Sequence, residues 1–356
     1  MRFSLFFEMQ ISQPDRKKEA QLFHDCVAQA VLADQVGFDG IWAVEHHGLY
    51  EYAHSSAPET FLAFVAAKTK KISIGHGVSL LPGRYNHPIR VAERVATLDI
   101  LSQGRVLWGT GKSGTAVETG AFEIAPTELE SQWREALQMI PKMWTEDIFS
   151  WQGKHYNIPP TQIVPKPFQD PHPPIFAACS RPELAVGAGE MGLGVLNVAV
   201  YRDIELAKSI QNYRDAIARA KPVSTVTMNR YCCNPSSLVL KNDRKAAQYG
   251  LWGSQFFLRS MMNYYLTDKR PTGPLKVSRE MPTDQQVEGF MKTRNTRDSQ
   301  LSIVIGDPVC ARESVQRFKD AGVDELILVM QTGVQPHELI MESIRTVAEE
   351  VIPHFK

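Results

Sequence analysis

Cysteine is scarce in this chain, with five in 356 residues, at Cys26, Cys179, Cys232, Cys233 and Cys310, and no CxxC pair among them. An odd, scattered set excludes a disulfide framework and a zinc knuckle and suits a reducing cytoplasm. Excess charge is absent too. Lys+Arg and Asp+Glu both number 39, which removes any global electrostatic pull toward nucleic acid or an anionic membrane. No apolar run approaches the roughly 20 residues that cross a bilayer. The opening MRFSLFFEMQ lacks the basic start and long apolar core of a signal peptide and reads as an immediate strand. Three further signatures are missing: a GxGxxG turn after the first strand, P-loop spacing, and a GxSxG nucleophile elbow. What the chain does have is a 43% hydrophobic share, ample for a large core.

That apolar content is arranged in alternation. Residues 2–7, 38–44, 72–80, 105–110, 175–178, 194–198, 225–232 and 325–331 read as strands. Residues 17–35, 58–68, 88–101, 128–144, 182–191, 203–220, 308–321 and 335–351 read as helices between and after them. Runs such as ELILVMQ are continuous rather than alternating, as parallel strands buried on both faces require. The pattern predicts an α/β fold, a (β/α)8 TIM barrel, as a single domain over residues 1–356 with insertions after strands four and seven. The first insertion, about 149–174, is rich in proline and aromatics and reads as a β-hairpin over the barrel. The second, about 242–300, is an irregular stretch holding Trp252, Met261-Met262 and Tyr264-Tyr265. It reads equally as a lid or as an interface loop.

Polar residues cluster where strands end, which is where a parallel barrel places chemistry. Strand two ends in Glu45-His46-His47, and alternation lets only one of the two rings face the mouth, as acid, base or cofactor partner. Strand three ends in GHGVSLLP, whose glycines permit close backbone approach. His87 precedes Pro88 at a helix start and is either a cap or a second ring at the mouth. Strand four ends in GTGKSG, and strand five in Cys179-Ser180-Arg181. Two basic, hydroxylated loops on one barrel can converge on a phosphate. Metal ligation is not expected, because a tandem His46-His47 has poor ligand geometry and strand one ends in Phe6-Phe7-Glu8.

Taken together, EHH, GHGVSLLP, HPIRVAERVATLDILSQGR, GTGKSG and CSRPELAVGAGEMGLG resemble the bacterial luciferase-like family of flavin-dependent monooxygenases. The longest and most specific element is HPxRxAExxxxLDxLSxGR. The resemblance covers most of the chain and weakens after residue 240. It implies reduced FMN at the C-terminal ends of the strands, supplied by a separate flavin reductase, and O2 activated as a flavin C4a-peroxide that oxygenates a small organic substrate. It implies His46 as the catalytic histidine and a non-prolyl cis peptide at Gly77-Val78 under the flavin ring. Gly111, Lys112 and Ser113 fall on one phosphate loop, Ser180 and Arg181 on the other, and Glu118 near an acidic position beside the flavin. His54 and His87 become candidates to border the substrate or lid. A homodimer, or a hetero-oligomer with a related chain, is expected. Gly111 stands where luciferase carries a reactive cysteine, so light emission is not expected. Two alternatives remain on the same barrel: hydride transfer with the deazaflavin coenzyme F420, whose longer acidic tail calls for a more basic mouth, and non-catalytic flavin binding.

Overall fold

A computed structural model describes residues 1–198, 201–296, 299 and 302–356. Strands β1 (Arg2–Phe7), β2 (Gly40–Ala43), β3 (Ser73–Leu80) and β4 (Val106–Gly111) alternate with helices α1 (Arg16–Val36), α2 (Pro58–Lys68) and α3 (Pro88–Leu101). After the short α4 (Ala116–Ala121) and the long α5 (Leu129–Thr145), β5 (Phe149–Gln152) and β6 (Asn157–Thr161) form an antiparallel hairpin. Then come β7 (Ile175–Cys179), α6 (Pro182–Glu190), β8 (Gly194–Asn197), α7 (Asp203–Ile217) and β9 (Tyr231–Cys233). The last part holds β10 (Ser236–Val239), α8 (Asp243–Tyr265), α9 (Asp284–Thr293), β11 (Ile303–Gly306), α10 (Pro308–Asp320), β12 (Glu325–Leu328) and α11 (His337–Glu350).

Eight parallel strands close in the order β1-β12-β9-β8-β7-β4-β3-β2, which is the (β/α)8 barrel the sequence predicts. Strand alternation divides the core in two. Leu5, Phe7, Ile41 and Ala43 pack outward against the helices. Phe6, Trp42, Leu107, Phe176 and Ile327 fill the barrel interior, with Trp42 edge-on to Phe176 at 5.2 Å. Helix starts follow local chemistry. The Asp15 carboxylate accepts from the amides of Lys17 and Lys18, both at 2.9 Å, and Pro88 opens α3 behind His87.

The second half departs from the expectation in two places. The expected strand over 225–232 is confined to Tyr231–Cys233, because only these residues meet ladder partners on β8 and β12. The expected irregular stretch over 242–300 instead contains α8 and α9, and residues 297, 298 and 300 of it lie outside the described residues. Gly250 and Gly253 argue against a helix by propensity. Here they permit contact, since a Cβ on Gly250 would sit 2.5 Å from Ile305 and one on Gly253 2.5 Å from Gln335. Packing against β11 and the last loop overrides the local preference.

Candidate active site

The phase of β2 decides which histidine enters the barrel. Trp42 points inward and so does Val44, and His46 continues that phase into the mouth. The His46 amide donates to the Ser55 carbonyl at 3.0 Å, and the Ser55 hydroxyl donates to the Val44 carbonyl at 2.7 Å, fixing the turn. His47 turns the other way. Its Nε2 lies 3.2 Å from Glu45 Oε1 and its ring stacks on Tyr85 at 6.0 Å.

His46 sits between two buried carboxylates. Its Nδ1 is 3.0 Å from Glu118 Oε1, and its Nε2 is 3.9 Å from Glu8 Oε2. Glu118, on α4, also accepts from the Ser113 and Thr115 hydroxyls, both at 2.6 Å, and from the His47 amide at 3.0 Å. Burial pushes the Glu118 pKa up, but the His46 charge and these donors overcome it and hold the carboxyl at about 2. Burial likewise opposes charge on His46, yet the charge and hydrogen bond of Glu118, aided by Glu8 and Glu45, raise its pKa to about 9. Glu8 goes the opposite way. Burial dominates and raises its pKa, against the pull of His46 and of the Tyr52 hydroxyl, which donates to Oε1 at 2.9 Å. Two carboxylates pushed apart around one charged imidazole form a built proton-handling site.

Glu8 is the residue that sequence reading passed over. A carboxylate just past a strand carries no local signal, but parity was available. Phe6 faces the interior, so Glu8, two residues on, faces the same way.

His46 and Glu8 open into a cavity of about 600 Å3, within the range of small-molecule and cofactor sites, and Glu118 lies behind its wall, reaching it only through His46 and Ser113. Gly77 and Val78 line it, and the peptide between them is cis, as the resemblance implies. Gly111 lines it as well. A Cβ there would lie 2.4 Å from Val78 Cγ2, so the glycine is required by this close approach. The cavity also carries cations. Lys112 is bonded to Glu130, whose other oxygen accepts from Arg134 at 2.6 Å. Ser180 and Arg181 are exposed at the start of α6, and the Arg181 guanidinium has no hydrogen bond or ion pair among the described residues. Ser113 sits in the same loop with φ 61°, but its hydroxyl is taken by Glu118.

His54 and His87 are not among the cavity's lining residues. The His54 ring lies 3.2 Å from Glu19 of α1. His87 caps α3, accepting from the Ile89 amide at 3.3 Å, and packs edge-on to Tyr156. The insertion after strand seven does reach the site. Phe257, Leu258, Met261 and Tyr265 of α8 line the cavity, with the Tyr265 ring edge-on to His46 at 6.4 Å.

A closed parallel barrel with its titratable groups at the C-terminal mouth has the architecture of a barrel enzyme. The sequence model of the luciferase-like monooxygenases matches residues 1–325, and the chain belongs to that family. One relative is an F420-dependent glucose-6-phosphate dehydrogenase of Amycolatopsis mediterranei, 32% identical over 87% of this chain and 90% of its own length. Another is the oxygenase component of the flavin-dependent trigonelline monooxygenase of Acinetobacter baylyi, 29% identical over 63% of this chain and 61% of its own. Among solved structures, the monooxygenase RslO1 of Streptomyces bottropensis superposes with a TM-score of 0.83, at 25% identity and full coverage of both chains.

Proposed function

We propose that the chain is the oxygenase component of a two-component monooxygenase, taking reduced FMN from a separate flavin reductase and using O2 to oxygenate a small organic substrate. It would act in a reducing cytoplasm as a single-domain subunit of a homodimer or of a hetero-oligomer with a related chain. The observation that carries this reading is the state of His46. An imidazole kept charged to about pH 9 is a poor base at neutral pH, but a ready donor beside an oxygen that develops negative charge.

The cavity's other groups suit FMN. Ser180, Arg181 and the N-terminus of α6, which no side chain caps, would take its phosphate, with Lys112 available once it leaves Glu130. The walls at Gly77, Val78 and Gly111 would flank its ring. Bound there in reduced form, FMN supplies the electrons that activate O2. The protein's own work is to exclude water, to hold His46 charged through Glu118, and to present Nε2 toward the reacting atoms. Lys112 gives a point charge rather than a fork, so phosphate binding depends chiefly on Arg181 and the α6 amides.

The relative named as an F420-dependent dehydrogenase keeps one second reading in play, hydride transfer with that coenzyme on the same barrel. Anaerobic titration with reduced FMN and, separately, reduced F420 decides between them. Selective binding of reduced FMN, followed by substrate-dependent oxygen uptake on aeration, is the expected result. Selective binding of reduced F420 moves the chain to hydride transfer, and binding of neither removes both readings.

A further inference from the structure

Among the described residues, Glu8 Oε2 is the only buried carboxylate oxygen without a hydrogen-bond partner. Such a group is costly unless something else supplies the donor. The nearest candidate within the protein, His46 Nε2, is 3.9 Å away, beyond hydrogen-bond reach. The gap is nevertheless a useful size. An oxygen placed to one side of the line between the two atoms can lie roughly 2.8 Å from both.

The two atoms ask for opposite things. A charged imidazole has only N–H groups to offer, with Nδ1 already given to Glu118, so Nε2 needs an acceptor. Glu8 Oε2, with Oε1 already taken by Tyr52, accepts from a donor once the carboxyl is ionised. One functional group satisfies both through a single atom, and that is a hydroxyl. Charge narrows the choice further. Glu8, Glu45 and Glu118 surround one imidazolium, which disfavours an anionic ligand, and an organic cation would meet His46 at close range. Four rings stand among the apolar walls: Phe6, Tyr52, Phe257 and Tyr265 line the same cavity.

Resting on the monooxygenase reading above, we propose that the substrate is a neutral ring compound bearing a hydroxyl, a phenol or cyclic alcohol, whose oxygen accepts from His46 Nε2 while its proton is donated to Glu8 Oε2. Glu8 is then a substrate-binding and specificity residue, backed by the Tyr52 hydroxyl on its other oxygen.

The test compares para-cresol with toluene, which are both neutral and differ by the hydroxyl alone, in anaerobic binding titrations of the full chain with reduced FMN and with no flavin added. The phenol should bind at least about tenfold tighter, as one hydrogen bond to the charged His46 together with one to Glu8 requires. In Glu8→Leu that preference should fall to within about twofold, while toluene affinity is kept and reports an intact pocket. Should that variant not fold, the near-isosteric Glu8→Gln should reduce the preference severalfold. Equal binding of the two probes by the unaltered protein overturns the proposal. So does a preference untouched by either Glu8 variant, and so does tighter binding of para-methylbenzylamine than of para-cresol. Hydroxyl preference without any FMN binding leaves the pocket standing and removes the monooxygenase reading. FMN binding without hydroxyl preference does the reverse.

Discussion

Glu325 and Glu8 both lie buried inside the barrel, one at each end, and their surroundings differ. At the floor, Glu325 Oε1 accepts from the Ser4 hydroxyl at 2.6 Å and from Trp42 Nε1 at 3.1 Å, and Oε2 faces Arg230 at 3.1 Å and Arg2 at 3.6 Å. Both of its oxygens are occupied by the protein. At the mouth, Glu8 has one oxygen on Tyr52 and the other on nothing. Removing Glu325 strands a cation and two donors inside the barrel, whereas Glu8 is left incomplete by the fold itself. A carboxylate whose bonds are all internal stabilises the protein, and one left half-bonded at a cavity wall is held for a ligand.

The sharpest way to break this contrast is stability. Glu325→Ala should cost on the order of 3 kcal/mol in chemical denaturation, because it strips the buried Ser4 hydroxyl and Trp42 Nε1 of their acceptor and unpairs two part-buried guanidiniums. Glu8→Gln, which keeps an acceptor for Tyr52, should stay within about 1 kcal/mol. Similar losses at both positions would mean that Glu8 is structural.

Activity should show the reverse asymmetry. His46→Ala should leave reduced FMN affinity unchanged but lower product formed per FMN oxidised by about 100-fold, with peroxide released instead. Coupling unchanged from that of the unaltered protein would remove His46 from the chemistry.

A third measurement follows melting temperature against pH for the unaltered protein and Glu118→Gln. The pKa of His46 is raised to about 9 from an ordinary 6.5, so its share of stability is full below 6.5 and lost as pH climbs through 9. Glu118 is depressed to about 2 from 4.5, so its share is full above 4.5 and lost as pH falls through 2. The gap between the two proteins should be widest between pH 4.5 and 6.5 and should narrow above pH 9. A gap that does not vary with pH would mean that the pair is not ionised. The smallest effect belongs to Lys112. Lys112→Ala should weaken FMN a few-fold, by about 1 kcal/mol or less, and riboflavin not at all, since its charge is already shared with Glu130. Equal losses for both ligands would take Lys112 away from the phosphate.

Much of this was legible in the sequence, for reasons that separate by range. The barrel strands are apolar runs bounded by breakers, and the two-residue period of β2 lets only one of His46 and His47 face the mouth, with the family resemblance pointing to His46. Local pattern fails where the answer lies in a partner. The β-branched stretch Thr225-Val226-Thr227 reads as a strand, yet the ladder begins only at Tyr231, where β8 and β12 offer edges. The glycines of α8 read as breakers until Ile305 and Gln335 are seen pressed against them. The partnership of Glu8, Tyr52, His46 and Glu118 joins residues from β1, the β2 loop and α4. No window of sequence contains it.

The way the barrel closes has a consequence for how the protein is made. Strand β1 pairs on one side with β2 and on the other with β12, where Arg2 meets Glu325. During synthesis β1 therefore carries a bare apolar edge until β12, more than 300 residues on, has followed it. Contacts so distant in sequence close slowly, and waiting edges invite pairing with the wrong chain. Expression at low temperature or with chaperones in excess should accordingly raise the yield of soluble protein more than any single stabilising substitution at the mouth.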